Sequence, residues 1–286
     1  MEAHFRKYHG LGNDYLVFDP NVRDIELSPE AIRLICDRHF GIGADGILYG
    51  PLQSRGDLTV RIFNPDGSEA EKSGNGLRIF AKYLYENKYV HKKRFSIKTL
   101  GGIVEARIED DSANLIRIKM GKITFLSTEI PVKGRKRQVV NEDLEIDGVK
   151  YKVTCASIGN PHCAIPMENI GEEKARELGP FVENHDMFPN RINMQLLKVI
   201  DRENIEIRIW ERGAGYTLAS GSSSCAAAGA AHKLGLVDNR INVSMPGGNL
   251  FVEIGENEQM YMTGPVEGVF EGHFHPNLKE KISKIK

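Results

Sequence analysis

"LASGSSSCAAAG", residues 218–229, sets a Ser-Gly turn directly before an alanine-rich helix pattern, and "EKSGNGLRIFA", residues 71–81, sets another Ser-Gly before a second helix pattern. The two serines stand at 73 and 220, an offset of 147 residues. Working outward, the same offset lays "LTVRIFNPDG" (58–67) on "IEIRIWERGA" (205–214), so that Arg61 meets Arg208, Phe63 meets Trp210 and Asn64 meets Glu211. Upstream, "LGND" (11–14) lands on "IGNP" (158–161), and downstream "TLGG" (99–102) meets "MPGG" (245–248) at an offset of 146. Anchors in one order at a near-constant spacing mark an internal repeat. The chain therefore reads as two copies of one lobe, residues 1–123 and 124–286, with the last strand, near 260–272, open to returning to the first lobe.

Within each copy the periodicity is readable. "LTVRIF" and "IEIRIW" alternate apolar and polar residues at period two and are rich in branched and aromatic side chains, which predicts half-buried strands. "GLRIFAKYLYENK" (76–88) carries Leu77, Phe80, Ala81 and Leu84 at helical spacing, and "CAAAGAAHKLGL" (225–236) is built from the strongest helix former. "LSPEAIRLICDRHFG" (27–41) predicts a further helix, capped by Ser28, opened by Pro29 and closed by Gly41. "RFSIKTLGGIVEARIE" (94–109) and "RINVSMPGGNLFVEIG" (240–255) read as hairpins, so the fold class is α+β.

Composition bounds the function. With 286 residues, 41% apolar and 27% charged, the chain can bury a substantial core. A net charge of −1 with interspersed signs gives no electrostatic footprint for nucleic acid, and "KGRKRQ" (133–138) reads as a solvated tip. The opening "MEAHFRKYHGLGND" lacks a leader's apolar region and no stretch approaches a membrane span, so the expected location is the cytoplasm, with no membrane partner. Cys36, Cys155, Cys163 and Cys225 form no CxxC pair and no zinc-like spacing; they are expected to be buried thiols, and no metal is expected.

The positions that match across the repeat are mostly small or polar residues at turns, whereas a purely structural repeat would preferentially keep the apolar ones. A helix N-terminus offers unpaired N–H groups and about half a positive charge, suited to a carboxylate or phosphate. Each serine alone reads most simply as an N-cap. The pair suggests two helix ends facing one ligand across a cleft between the lobes.

Through "HGLGND" (9–14), "GIGAD" (41–45), "FNPDGSEAEKSGNG" (63–76), "GNPHC" (159–163), "WERGAGYT" (210–217) and "SGS" (220–222), the chain resembles the diaminopimelate epimerase family along nearly its whole length. The resemblance implies two pseudo-symmetric lobes with the active site in the interlobe cleft. It also implies inversion of an amino-acid α-carbon without pyridoxal phosphate, metal or other cofactor, most simply LL- to meso-diaminopimelate in lysine synthesis, and a possible homodimer. Carried over position by position, Asn13, Asn64, Asn160, Asn193, Glu211 and Arg212 would hold the distal amino-acid group of the substrate. Gly74-Asn75 and Gly221-Ser222 would hold the reacting carboxylate. The preceding residues, Ser73 and Ser220, would be the acid/base pair, assisted by His162 nearer Ser73 and by Glu211 nearer Ser220. Inversion needs a base on one face of the carbon and an acid on the other, which two related lobes can supply.

Both acid/base positions are cysteine in the family pattern and serine here. Ser223-Ser224 stand where the family usually has Gly-Ala, Tyr216 where it has Glu, and Gly46 where Gln is frequent. Three origins remain open: a natural serine form that still epimerises, a silent amino-acid-binding homologue, and a Cys-to-Ser variant that traps substrate. Retention of both His162 and Glu211 beside the serines favours an enzyme.

Overall fold

The alternating stretches at 58–63 and 205–210 are strands, and each leads through a short strand and a turn into a helix. The structure, a computed structural model, describes residues 4–23, 25–54 and 57–285. Residues 1–3, within the stretch read above for a leader, lie outside the described residues. By packing, the chain divides into two units, Met1–Ile118 with Gly264–Lys286, and Lys119–Thr263. The repeat places a division near 123 and leaves the last strand, near 260–272, open to returning to the first lobe; packing divides the chain after Ile118 and again after Thr263.

The first unit begins with β1 (His4–Gly10), β2 (Asn13–Phe18), α1 (Pro29–Cys36), β3 (Ile47–Ser54), β4 (Asp57–Phe63) and β5 (Glu69–Ala70). It continues through α2 (Gly74–Glu86), β6 (Arg94–Thr99) and β7 (Gly102–Ile108), and β8 (Leu115–Lys122) carries the chain over the division. The second unit contains β9 (Glu142–Ile146), β10 (Val149–Ser157), β11 (Pro161–Pro166), α3 (Glu172–Glu183), β12 (Asn193–Val199), β13 (Asn204–Glu211) and β14 (Gly215–Thr217). It runs on through α4 (Gly221–Lys233), β15 (Arg240–Met245), β16 (Gly248–Ile254) and β17 (Gln259–Pro265). The first unit then closes with β18 (Glu267–His273) and α5 (Pro276–Lys284).

The repeat is written in the pairing. In the first unit β1–β2 is antiparallel, β2–β3 parallel, β3–β4 and β4–β5 antiparallel, β4–β6 parallel and β6–β7 antiparallel. The second unit repeats that order element for element with β10–β11, β11–β12, β12–β13, β13–β14, β13–β15 and β15–β16. Parallel neighbours need a crossover, and α1 and α3 supply it at equivalent places. Strand β18 pairs with β1 from His4↔His273 to His9↔Glu267, which keeps the C-terminal segment in the first unit.

Each unit has its own core. Phe5, Leu16, Phe18, Ile32, Ile35 and Phe274 cluster in the first, while Ile130, Val153, Ile165, Leu178, Met194 and Leu196 cluster in the second with Trp210 packed against them. Helix α4 shows almost no amphipathic pattern because it is buried on nearly every side, and its alanines let strands approach closely. A Cβ on its Gly229 would lie 2.3 Å from Ile123 Cδ1, so a larger residue there would displace the end of that side chain.

The two hairpins form as read, Arg94↔Arg107 to Thr99↔Gly102 and Arg240↔Glu253 to Met245↔Gly248. Helix α1 is shorter than the sequence suggests and ends at Cys36. Asp37 turns extended, and its carboxylate takes the amides of His39 and Phe40, an Asx arrangement that competes with the helix ladder. The last-turn carbonyls of Ile35 and Cys36 are then satisfied by Ile42, Gly43 and Ala44. Gly41 serves close approach rather than capping, since a Cβ there would sit 1.9 Å from the Leu34 carbonyl oxygen.

Candidate active site

In the first unit the site is built around the start of α2. Ser73 is its N-cap, in extended backbone (φ −138°, ψ 119°), and its Oγ accepts the Gly76 amide at 3.0 Å. The hydroxyl of Tyr15, a buried residue of β2, lies 3.0 Å from the same Oγ. Asn75 Nδ2 donates to Asn13 Oδ1 at 3.0 Å, and Asn13 Nδ2 donates to Asp45 Oδ2 at 2.9 Å, so both asparagines belong to one chain of bonds. Leu11 and Gly12 take the left-handed region (φ 59° and 84°), turning the strand so that Asn13 starts β2.

Motifs "HGLGND" and "GIGAD" are bound to each other by charge. Asp14 receives Lys7 Nζ and Arg38 Nη2, each at 2.7 Å, and Arg38 also reaches Asp45 at 2.8 Å. Burial opposes ionisation of Asp14, but the hydrogen bonds from Arg38 and Lys7 outweigh it and hold its carboxyl below the ordinary value. Burial and then the Asp14 charge push Asp45 the other way. Asn64 stands apart from this group: its side chain donates to Ser68 Oγ at 3.0 Å and locks the turn after β4.

In the second unit Ser220 repeats the arrangement at the start of α4. It is extended (φ −147°, ψ 126°), 5% exposed, and its Oγ accepts the Ser223 amide at 3.4 Å. Asn160 Nδ2 donates to Ser222 Oγ at 3.4 Å, while its Oδ1 lies 2.9 Å from His162 Nε2. Gln195 Nε2 lies 3.0 Å from His162 Nδ1 and donates to Ser223 Oγ at 3.0 Å. An amide nitrogen can only donate, so Nδ1 accepts and the His162 proton resides on Nε2, directed at Asn160.

His162 is 1% exposed, and its pKa is lowered to about 3, first by burial and then by the charge of Arg212. It is a neutral imidazole at neutral pH. The unfolded chain protonates near the ordinary 6.5 and the folded chain does not, so this group's stability is full above 6.5 and is lost as pH falls toward 3. The expected slope is about 1.4 kcal/mol per pH unit within that window. Urea unfolding from pH 7 to pH 4 therefore shows a flatter acid limb in His162→Gln than in the native protein.

The hairpin between β13 and β14 carries Glu211 and Arg212. The Arg212 amide donates to Asn193 Oδ1 at 2.9 Å, Asn193 Nδ2 donates to the Pro161 carbonyl at 2.7 Å, and the Arg212 guanidinium reaches the Asn190 carbonyl at 2.9 Å. Asn193 thus joins the hairpin to the strand that carries His162, and both ends of its amide are used. Buried Glu183, at the end of α3, accepts Trp210 Nε1 at 2.7 Å, the Gly213 amide at 2.9 Å and Arg191 at 3.0 Å. Trp210 in turn fits only because residue 179 is glycine, whose Cβ would meet the indole Cδ2 at 2.3 Å.

Ser73, Gly74, Asn75 and Asn13 therefore gather at one helix end, and Ser220, Gly221, Ser222, Asn160 and His162 at the other. Glu211 and Arg212 lie on the β13–β14 hairpin, whose Arg212 amide is held by Asn193 at the start of β12. Sequence reading missed Tyr15, Gln195 and Glu183. Tyr15 was embedded in an apolar strand, and Glu183 looked like an ordinary acidic residue at a helix end. All four cysteines are buried free thiols, and none stands at a helix N-cap. Among the described residues no cluster of three or more His, Cys, Asp or Glu is arranged to hold a metal ion, and no helix is long and apolar enough to cross a membrane.

The family model described as diaminopimelate epimerase matches residues 5–126 and 154–269. Diaminopimelate epimerase 2 of Nostoc sp. (strain PCC 7120) is 53% identical over 275 residues, covering 96% of each chain. Diaminopimelate epimerase of Pelotomaculum thermopropionicum is 41% identical over 276 residues, covering 95% of this chain and 98% of its own. Among solved structures, a predicted epimerase from Pseudomonas aeruginosa superposes with a TM-score of 0.69 at 16% identity, covering 95% of this chain and 99% of that one. A hydroxyproline epimerase from Agrobacterium vitis, with bound trans-4-hydroxy-L-proline, gives a TM-score of 0.68 at 13% identity, covering 97% and 93%. At those identities the last two speak for the fold.

Proposed function

The chain belongs to the diaminopimelate epimerase family, an isomerase family working without pyridoxal phosphate, and from that premise we propose that its acid/base pair is Ser73 and Ser220 acting on LL- and meso-diaminopimelate. The observation that carries this is the equivalence of the two serines. Each caps a helix that starts after it, each holds its Oγ against the amide three residues on, and the two lie at the same place in the repeat.

One serine takes the α-proton from one face while the other returns a proton to the opposite face. The backbone amides of the first turn, at Gly74-Asn75 and Gly221-Ser222, receive the α-carboxylate and stabilise the charge it gains as the carbanion forms. That preorganised stabilisation takes the place of a cofactor's electron sink. Arg212 and Glu211 pair with the distal carboxylate and ammonium, Asn193 holding the Arg212 backbone, and Asn13, Asn64 and Asn160 are the further polar groups that the family resemblance assigns to that end of the substrate. His162, neutral and held at both ring nitrogens, keeps Asn160 and the α4 turn in position and assists the acid/base pair from there.

The competing reading, an amino-acid-binding protein whose serines are only caps, draws on the same two capping bonds. The relatives that match over nearly the whole chain are named as epimerases, which supports the enzyme reading. Incubation with LL-diaminopimelate followed by chiral separation decides between them. The meso isomer accumulates if the serines work as a pair, and unchanged LL substrate with retained binding establishes the binding protein. The homodimer implied by the family belongs to the same reading and is checked by sedimentation.

A further inference from the structure

We infer that Tyr15 is the positioning residue that sets the protonation state of Ser73, so that this half of the acid/base pair works as a Tyr-Ser relay; this rests on Ser73 being one of the pair. The Tyr15 hydroxyl lies 3.0 Å from Ser73 Oγ, with the tyrosine 6% exposed and therefore shielded from competing water. The Gly76 amide, also at 3.0 Å, occupies one lone pair of Oγ, leaving one lone pair and the hydroxyl proton.

Two arrangements of the pair follow, and they match the two halves of an epimerisation. When Tyr15 donates, Ser73 accepts twice and turns its own proton outward, as an acid. When Ser73 donates to Tyr15, its remaining lone pair faces outward, as a base. The protons balance in both directions. With Tyr15 as phenolate, Ser73 Oγ takes the α-proton while its former proton passes to Tyr15 Oη, leaving carbanion, serine and phenol. With Tyr15 as phenol, Ser73 gives its proton to the carbanion and is refilled from Tyr15, leaving product, serine and phenolate. The charge that an isolated serine would have to carry as alkoxide rests on a phenol oxygen instead, and phenols are far more acidic than aliphatic alcohols.

Glycine at residue 46 leaves space for this ring. A Cβ at residue 46 would lie 2.6 Å from Tyr15 Cε1 and 2.6 Å from the Phe63 carbonyl oxygen, so a residue other than glycine there would push against the Tyr15 ring. The backbone fixes the relation, because the Leu16 amide donates to the Gly46 carbonyl at 3.1 Å and holds β2 beside the glycine.

The test is Tyr15→Phe, which keeps the ring and removes only the oxygen, made in the native protein and in Ser73→Cys. In the native protein kcat for diaminopimelate falls about 10- to 100-fold, within the range for removing acid/base assistance, while KM stays within about twofold. In Ser73→Cys the same change costs under about threefold, because a thiol ionises near neutral pH without help. An equal fall in both backgrounds, or a fall confined to KM, assigns Tyr15 a packing role and overturns the relay. An active native protein indifferent to Tyr15→Phe overturns the relay and leaves the serine pair standing. A native protein that epimerises nothing overturns both.

Discussion

Ser73→Cys/Ser220→Cys turns over diaminopimelate about three orders of magnitude faster than the native chain. The magnitude follows from acidity. A thiol has a pKa of about 8.5, lower still at a helix N-terminus, whereas an aliphatic hydroxyl is close in acidity to bulk water at about 15.7. For a serine with no phenol beside it that gap is about seven units, and each unit is about 1.4 kcal/mol. If roughly half of it appears in the barrier, the gain is about 10³-fold or slightly more, since the base is partly formed in a proton-transfer transition state. The supporting parts are already in place: the capping amides of Gly76 and Ser223 address the sulfur positions as they address the oxygens. Either single cysteine gains far less, because inversion requires a competent group on each face. Steady-state epimerisation by the four proteins measures all of this, and a double variant no faster than native contradicts the acidity argument.

Arg212→Ala weakens diaminopimelate binding by about 2 to 3 kcal/mol, roughly 30- to 150-fold, because the distal carboxylate loses a charged hydrogen-bonding partner. Asn193→Ala acts more indirectly and at the smaller end of that range. Its amide oxygen holds the Arg212 backbone and its nitrogen holds the Pro161 carbonyl, so the variant frees the hairpin without removing the guanidinium. Calorimetry separates the two effects. Unchanged affinity in Arg212→Ala removes the arginine from the binding set.

Much of the fold was legible because the repeat is imposed by backbone needs that few residues meet. Gly12 and Gly159 match across the copies because both sit at positive φ, 84° and 103°, immediately before a site asparagine. Ser73 and Ser220 match because both cap helices, a local interaction readable from a few neighbouring residues. The end of α1 was misread because Gly41 resembles a C-cap, while the Asp37 carboxylate, which stops the helix by taking two amides, leaves only a common acidic residue in the sequence.

The partners of the site were hidden for a different reason. Tyr15 meets Ser73 across 58 residues and Glu183 meets Gly213 across 30, so no local pattern ties them. Gln195, fully buried in β12, reads as one polar residue in an apolar strand; only the fold reveals that it joins His162 to Ser223. His162 itself was identified as an assistant to the acid/base chemistry. Its burial and its two bonded ring nitrogens place it in the network behind the α4 turn.

The central claim is that Ser73 and Ser220 move the α-proton, and exchange of that proton with deuterated water tests it most directly. Proton NMR of LL- and meso-diaminopimelate in deuterium oxide follows the native protein beside Ser73→Ala and Ser220→Ala. The expected result is loss of the α-proton signal together with inversion in the native protein, and no inversion in either alanine variant, with diaminopimelate still bound by both. Inversion that persists in Ser73→Ala or Ser220→Ala would contradict the account, because the proton would then be moved by some other group.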